Sequence, residues 1–303
     1  MKPYTDKNKS YPRLNEAALG YLLVTPALLF ILAIAIYPIF QTFRLSLFNM
    51  KLQFITEAKF IGLENYINLL GDWRYLLALL TTARFTVFSV ALELCVGMAM
   101  ALLMSRNFKG IGLVRTAVLV PWAIPTSVSA VMWSFLYNDQ FGVLNDILTR
   151  FGIISANKAW LGTADTALGS IIFADVWKTS PFMGLILLAG VQSISRELYE
   201  AARVDGAGVI RQFLSITLPL LKPTILVALI FRTMEAFRVF DLIFVMTSGG
   251  PGNSTESLAI YTYKTLFRNL DFGQGSAMAV MIFVFVFLFA MLYIKLLDKD
   301  SLH

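Results

Sequence analysis

Six stretches of this chain, at about 18–43, 78–104, 114–137, 168–193, 219–247 and 276–296, are each apolar over roughly the 20 residues an α-helix needs to cross a bilayer. Runs of that length need a lipid environment, and the charge content agrees. Only 15% of residues are charged, well short of the quarter or so that covers a soluble domain. The expected fold is therefore an all-α membrane protein with six transmembrane helices. Its expected division is a tail at 1–17, a six-helix domain over 18–296 and a second tail at 297–303. The first run is too long for a cleaved signal peptide and contains Pro26 and Pro38. No small-residue cleavage site follows it.

The same composition excludes several functions. Cys95 is the single cysteine and His303 the single histidine, so no internal disulfide, metal cluster or histidine catalysis is expected. The net charge of +6 is spread over short loops, with no basic stripe of the kind that binds nucleic acid. Lys2, Lys7, Lys9 and Arg13 precede the first span, and Arg106, Lys109 and Arg115 follow the second. Arg196, Arg203 and Arg211 follow the fourth, and Lys295 and Lys299 the sixth. That side is the richer in basic residues, which places both termini in the cytoplasm. On the other side, residues 142–154 carry apolar residues at helical spacing. They read as an amphipathic helix at the outer interface or as an ordinary loop helix.

Charged residues inside spans are costly and usually face a partner helix or a wet cavity. Arg84 and Glu93 lie in the second span, Asp175 and Lys178 in the fourth, and Arg232, Glu235, Arg238 and Asp241 in the fifth. Arg232, Glu235 and Val239 share one helical face by their spacing. Two readings stand side by side. Asp175–Lys178 and Arg238–Asp241 could be structural pairs near helix ends, or these faces could line a polar cavity for a hydroxylated or charged solute. Arg84 is expected near the outer interface. The third span opens with VPWAIP, where Pro121 and Pro125 should kink or partly unwind the helix beside Trp122. Trp122 is then either packed between helices or available to a ligand.

The loop over 195–219 is the most informative segment, with the makings of two short helices at an angle. Ser195 is a plausible N-cap, with Glu197 and Glu200 in the first turns. Leu198, Ala201 and Ala202 form a small apolar face, and Asp205-Gly206 ends the helix because glycine accepts a left-handed conformation. A second apolar stripe, Ile210, Phe213 and Leu214, leads to Pro219 at the next membrane entry. Such a helix fits a partner's groove, or lies on lipid headgroups.

Glu200-Ala201-Ala202, then Asp205-Gly206-Ala207, then Ile216, Leu218 and Pro219 resemble the EAA loop of binding-protein-dependent ABC importer permeases. The chain is similar in particular to sugar permeases of the maltose and glycerol-3-phosphate type. The likeness takes in FIGLENY at 60–66, VPWAIP at 120–125, WKTSPFMGLILLAG at 177–190 and FRVFDLIFVMTSGGPGNSTE at 237–256. Their order and spacing together are specific. TSGGPGNSTE and FGQGSAMAV look like the maltose-F-like half of a permease pair.

The resemblance implies a type I ABC importer permease fold in a bacterial or archaeal inner membrane. It also implies a second, homologous permease subunit, two ATP-binding cassette ATPase subunits and an extracytoplasmic solute-binding protein. Glu200, Ala201, Ala202, Asp205, Gly206 and Ala207 would form the coupling helix that seats in the ATPase. By position, the solute site would fall on Trp122, Asp175, Lys178, Thr179, Phe182, Arg232 and Glu235, with Ala236 and Val239 beside them. Several of these side chains are charged where the maltose pattern is amide or apolar. No G-x-x-x-x-G-K-[ST] loop occurs in the sequence. The chain is thus expected to be non-catalytic and to bind no cofactor, with ATP and magnesium held by the partner ATPases. The expected solute is a disaccharide or glucoside such as trehalose, maltose or glucosylglycerol. Glycerol-3-phosphate is the alternative within the family. An ion-coupled secondary transporter using the buried carboxylates is the alternative outside it, and an exporter or membrane scaffold the third class.

Overall fold

The computed structural model describes residues 15–52 and 58–301. Lys2, Lys7, Lys9 and Arg13, on which part of the orientation argument rests, lie outside the described residues. Helix α1 (Glu16–Ile31) continues through a π turn (Leu32–Ile36) into α2 (Tyr37–Leu45). From Leu19 to Phe43 the large apolar side chains of this first span are exposed, as they are on a helix surrounded by lipid or by another subunit. A short antiparallel pair, β1 (Phe48–Asn49) and β2 (Lys59–Phe60), joins Phe48 to Phe60. It leads into α3 (Glu64–Gly71) and α4 (Trp73–Met104). Asp72 caps α4 by accepting from the Arg74 amide at 2.9 Å.

The third span departs from a single kinked helix. It consists of α5 (Ile111–Ala123) and α6 (Thr126–Leu136), set at 93° to each other. Pro121 is accommodated inside α5. The break falls at Ile124, whose ψ of 132° is the extended value that a following proline imposes. Past α6, α7 (Val143–Arg150) is the short helix expected at 142–154. Helix α8 (Ala164–Ser193) is the most enclosed of the spans and packs along α4.

Glycines bring α4 and α8 together. A Cβ on Gly97 would lie 2.8 Å from Met183 Cγ, and one on Gly184 would lie 3.2 Å from Met100 Cβ. Apolar helices in lipid associate through such close packing.

After α9 (Arg196–Val204), α10 (Val209–Gln212) runs through a π turn (Phe213–Thr217) into α11 (Leu218–Phe237). This is one 29-residue helix, Val209–Phe237. The expected fifth span at 219–247 is therefore corrected at both ends. It starts ten residues earlier (219 − 209), with no separate second loop helix. It stops at Phe237, because Arg238 and Phe240 leave helical geometry (φ −101° and −131°). The Val239 carbonyl at the break accepts from Ser257 Oγ at 3.1 Å. Helices α12 (Asp241–Met246), α13 (Leu258–Tyr263), a π turn (Lys264–Arg268) and α14 (Phe272–Ser301) complete the chain.

Three packed clusters hold the bundle. Phe85, Trp133, Ile171 and Leu242 join α4, α6, α8 and α12. Tyr75, Phe237, Leu258 and Met278 join α4, α11, α13 and α14. Met98, Met183, Leu187 and Leu221 join α4, α8 and α11.

Candidate functional site

A charge network crosses three helices inside the membrane domain. Arg232 on α11 is 2% exposed. Its Nε donates to Glu93 Oε2 at 2.5 Å and its Nη2 to Glu93 Oε1 at 2.7 Å. The same Nη2 lies 3.3 Å from Asp175 Oδ2 on α8, and Nη1 donates to Glu235 Oε2 at 2.7 Å. Thr179 Oγ1 lies 2.7 Å from Glu93 Oε1 and 2.6 Å from the Asp175 carbonyl. Glu93 is wholly buried and held bidentately, the geometry that makes an arginine–carboxylate pair strong and directional. Three carboxylates share one guanidinium, and of them only Glu235 reaches an open surface, its side chain 65% exposed.

The structure thus separates residues that helical spacing had grouped. Arg232 is enclosed and fully engaged, and Glu235 reaches an open surface. Asp175 turns to Arg232, and Lys178 is buried one turn away without forming an ion pair among the described residues. Arg238 donates to the Met234 carbonyl at 3.1 Å and does not pair with Asp241, because the helix ends between them. Both structural pairings, Asp175–Lys178 and Arg238–Asp241, are therefore corrected. Glu93 stood out only as one of two charges in its span, because its partner lies 139 positions away in the sequence.

Trp122, on the last turn of α5 before the right-angle break, stacks on Phe182 of α8. The ring centroids are 5.6 Å apart and the planes 17° from parallel. Trp122 remains 45% exposed, so the pair presents a flat aromatic face instead of a packed core residue.

The 195–219 segment has the geometry its residues require. Ser195 Oγ accepts from the Glu197 amide at 3.3 Å. At the other end the Ala207 amide donates to the Ala202 carbonyl at 2.8 Å, and the Gly206 amide to the Arg203 carbonyl at 3.0 Å. These two bonds, with Gly206 at φ +77°, close a Schellman motif. Leu198, Ala201 and Val204 lie on one exposed face of α9, and Val204 is 88% exposed. Glu200 and Asp205 are exposed, and Ala202 and Ala207 half-buried. Tyr199 Oη bonds Thr217 Oγ1 at 2.9 Å, tying α9 to the long helix.

A second polar cluster joins the first turn of α4 to the segment after α12. Glu256 Oε2 accepts from Arg74 Nε at 2.8 Å, and its Oε1 from Arg74 Nη2 at 2.9 Å and Lys264 Nζ at 2.6 Å. Burial alone would raise the Glu256 pKa, but these hydrogen bonds and charges outweigh it and hold it below its ordinary value. Tyr261 Oη donates to Asp72 Oδ2 at 2.6 Å. Burial, then this bond, raises its pKa. Arg84 lines an open cavity of about 870 Å³ between α4 and the start of α8.

Residues 93–301 match the family described as the binding-protein-dependent transport system inner membrane component. The chain belongs to that family. This permease is 45% identical over 283 residues to the trehalose/maltose transport system permease protein MalF of Thermococcus litoralis, covering 93% of this chain and 94% of that one. It is 41% identical to the trehalose transport system permease protein SugA of Mycobacterium tuberculosis, over 94% and 90% of the two chains. It is 39% identical to the sulfoquinovosyl glycerol transport system permease protein SmoG of Agrobacterium fabrum, over 94% and 92%. Its fold matches a bacterial ABC transporter involved in alginate import at a TM-score of 0.80, with 22% identity over 93% and 95% of the chains. The permease is an integral membrane protein and a non-catalytic transport subunit. The right-angle break at Ile124-Pro125 and the network on Arg232 lie in this membrane domain.

Proposed function

We propose that this chain is the permease subunit of an ATP-driven importer for a neutral disaccharide or glucoside. It would work with a second, homologous permease subunit, two ATPase subunits that hold ATP and magnesium, and an extracytoplasmic binding protein. Both termini and the 195–219 loop would face the cytoplasm, consistent with the basic residues of that side. The apolar face of Leu198, Ala201 and Val204 fits a groove on the ATPase, and the Schellman motif at Gly206 fixes the angle at which α9 is presented. ATP would close the ATPase pair, and the docked α9 would carry that motion into the spans. Differential binding of ATP to the closed state drives the switch between inward-facing and outward-facing cavities.

One observation carries the solute class: Glu235 is the open end of a network whose single guanidinium is already used up inside. A carboxylate with free lone pairs accepts from sugar hydroxyls, and the Trp122–Phe182 face suits the apolar side of a pyranose ring. In this reading Trp122, Phe182 and Glu235 touch the solute. Arg232, Asp175 and Thr179 hold Glu235 and its helix in place, and Lys178 supports α8 from within. The exposed carboxylate of Glu235 disfavours a phosphate beside it, which counts against glycerol-3-phosphate.

The test is ATPase activity of the purified four-subunit complex with binding protein, in nanodiscs. The panel is trehalose, maltose, sucrose, glucosylglycerol and glycerol-3-phosphate. Stimulation by a neutral glucoside that is lost in Glu235→Gln, with basal hydrolysis retained, is the expected result. Stimulation by glycerol-3-phosphate alone would overturn the solute class, and uptake unaffected by ATP depletion would overturn the importer reading.

A further inference from the structure

The two faces of α9 differ in chemistry. Leu198, Ala201 and Val204 point away from the membrane domain, whereas Arg196, Tyr199, Glu200 and Arg203, at i, i+3, i+4 and i+7, line a cleft beneath the helix. The cleft has a volume of about 1350 Å³ and is closed on the far side by the loop that links α4 to α5. That loop adds Arg106 to the lining, and the first turns of α5 add Arg115. Arg115 Nη2 donates to the Met104 carbonyl at 2.7 Å, which fixes the direction of its guanidinium. Four arginines and one carboxylate, Glu200, therefore line the cleft. Among the described residues no ion pair reaches Arg106, Arg115, Arg196 or Arg203. The cleft also lies where three spans end: α4 stops at Met104, α5 starts at Ile111 and the long helix starts at Val209. The cleft therefore borders the ends of three apolar helices.

We propose that this cleft is an anion site for a phosphate group. The guanidinium forks of Arg106, Arg196 and Arg203 are free to match phosphate oxygens bidentately, Arg115 adds charge beside them, and a surplus of three positive charges lining one concavity concentrates anions. The phosphate belongs either to an anionic lipid headgroup entering from the bilayer or to a soluble phosphate monoester entering from the aqueous side. An acidic segment of the ATPase fits less well, because the arginines lie on the face of α9 opposite its apolar docking surface. A bound phosphate would bridge α9 to the α4–α5 loop and stiffen the element that conveys the ATPase motion. The site rests on the proposed function only in placing this face in the cytoplasm.

The experiment uses the intact four-subunit complex in native mass spectrometry and nanodisc ATPase assays. It compares the unaltered protein with Arg106→Gln/Arg196→Gln. The lipid arm offers nanodiscs of phosphatidylcholine with and without phosphatidylglycerol; the soluble arm offers glucose 6-phosphate in pure phosphatidylcholine. The expected result is selective retention of one phosphate source, weakened about 25-fold in the double variant, as two lost cations near a charged surface imply. Retention of phosphatidylglycerol identifies a headgroup, and retention of glucose 6-phosphate a soluble ligand. Equal binding of both sources in the unaltered protein and the variant overturns the site. So does loss of ATPase subunits from the variant with phosphate binding unchanged, which would make the arginines a protein contact. Solute-stimulated hydrolysis measured in the same samples reports separately on the importer reading.

Discussion

Replacing Glu93 by glutamine would remove the charge from the best-buried partner of Arg232 while keeping its size. The amide can accept one of the two Arg232 hydrogen bonds, but its NH2 group would then face a second donor. Arg232 would keep Glu235 at 2.7 Å and Asp175 at 3.3 Å, so it would not be stranded. Breaking a buried ion pair typically costs 3–5 kcal/mol, and the remaining carboxylates put this case at the low end, about 3 kcal/mol. For 303 residues, at about 2.1 cal/mol/K each, that is a fall of roughly 5 °C in apparent Tm. Removing only the arginine, Arg232→Gln, leaves Glu93 and Asp175 without a counter-charge and should cost more. In Glu93→Gln/Arg232→Gln Asp175 is the one buried carboxylate left without its guanidinium, so the double variant should be more stable than the sum of the singles by at least ~1.5 kcal/mol. The assay is thermal unfolding of the detergent-purified complex, followed by tryptophan fluorescence, for all four proteins of the cycle. A fall below 2 °C in Glu93→Gln, or strict additivity across the cycle, would refute the network as the lock between α4, α8 and α11.

Trp122→Ala should raise the solute concentration for half-maximal ATPase stimulation about 2- to 12-fold, the worth of one aromatic contact. Trp122→Phe should recover part of it, and unchanged values in both would remove Trp122 from the solute site. Glu256 has a folded pKa below its ordinary value of 4.5, so its contribution is fully present above that value and lost as pH falls below it and through the folded pKa. The Tm of Glu256→Gln should therefore be lower than that of the unaltered protein at neutral pH, and the gap should close in acid; a gap that persisted there would assign it to packing. Leu214→Gly/Ser215→Gly places flexible residues at two exposed positions in the π turn of the long helix, at about 1 kcal/mol each in helix propensity. Assembly should survive and solute-stimulated ATPase should fall several-fold, whereas unimpaired stimulation would show that a continuous helix is not needed.

The spans were legible because twenty apolar residues in a row have one physical solution in lipid. The α9 cap was legible for a similar reason: Ser195 and Gly206 are local signals, and the bonds they imply form within six residues. What escaped was set by distant partners. Arg238 and Asp241 sit at a spacing that pairs side chains on a helix, but the helix ends at Phe237, and Ser257 from beyond α12 completes the broken backbone. Asp175 has Lys178 within one turn, yet turns to a guanidinium 57 positions away. Glu93 and Glu256 find their arginines 139 and 182 positions away, distances that no local pattern records. The two prolines of VPWAIP announced a break, but not that Ile124 would turn the chain through 93°.

The boundary correction at the fifth span also changes the mechanical picture. With a separate loop helix ahead of a span starting at 219, motion of α9 would have to cross a joint before reaching the intramembrane charges. Instead Val209–Phe237 is one helix, about 44 Å long at 1.5 Å per residue. Arg232 lies 15 residues beyond Thr217 (232 − 217), or about 22 Å along the same axis, and Thr217 is the residue bonded to Tyr199 of α9. A push on α9 is therefore delivered to the near end of the helix whose far end carries Arg232 and Glu235. The bidentate grip of Glu93 gives that helix a fixed point on α4. Rotation or sliding of α11 must either move α4 with it or break a buried ion pair, so intermediate positions are unfavourable. A packed helix pair joined by such a contact favours two discrete arrangements over a continuum, and the exposed carboxylate of Glu235 is presented differently in each. In the proposed importer, the same residues that hold the bundle together at rest would make solute access and α9 position two readings of one helix.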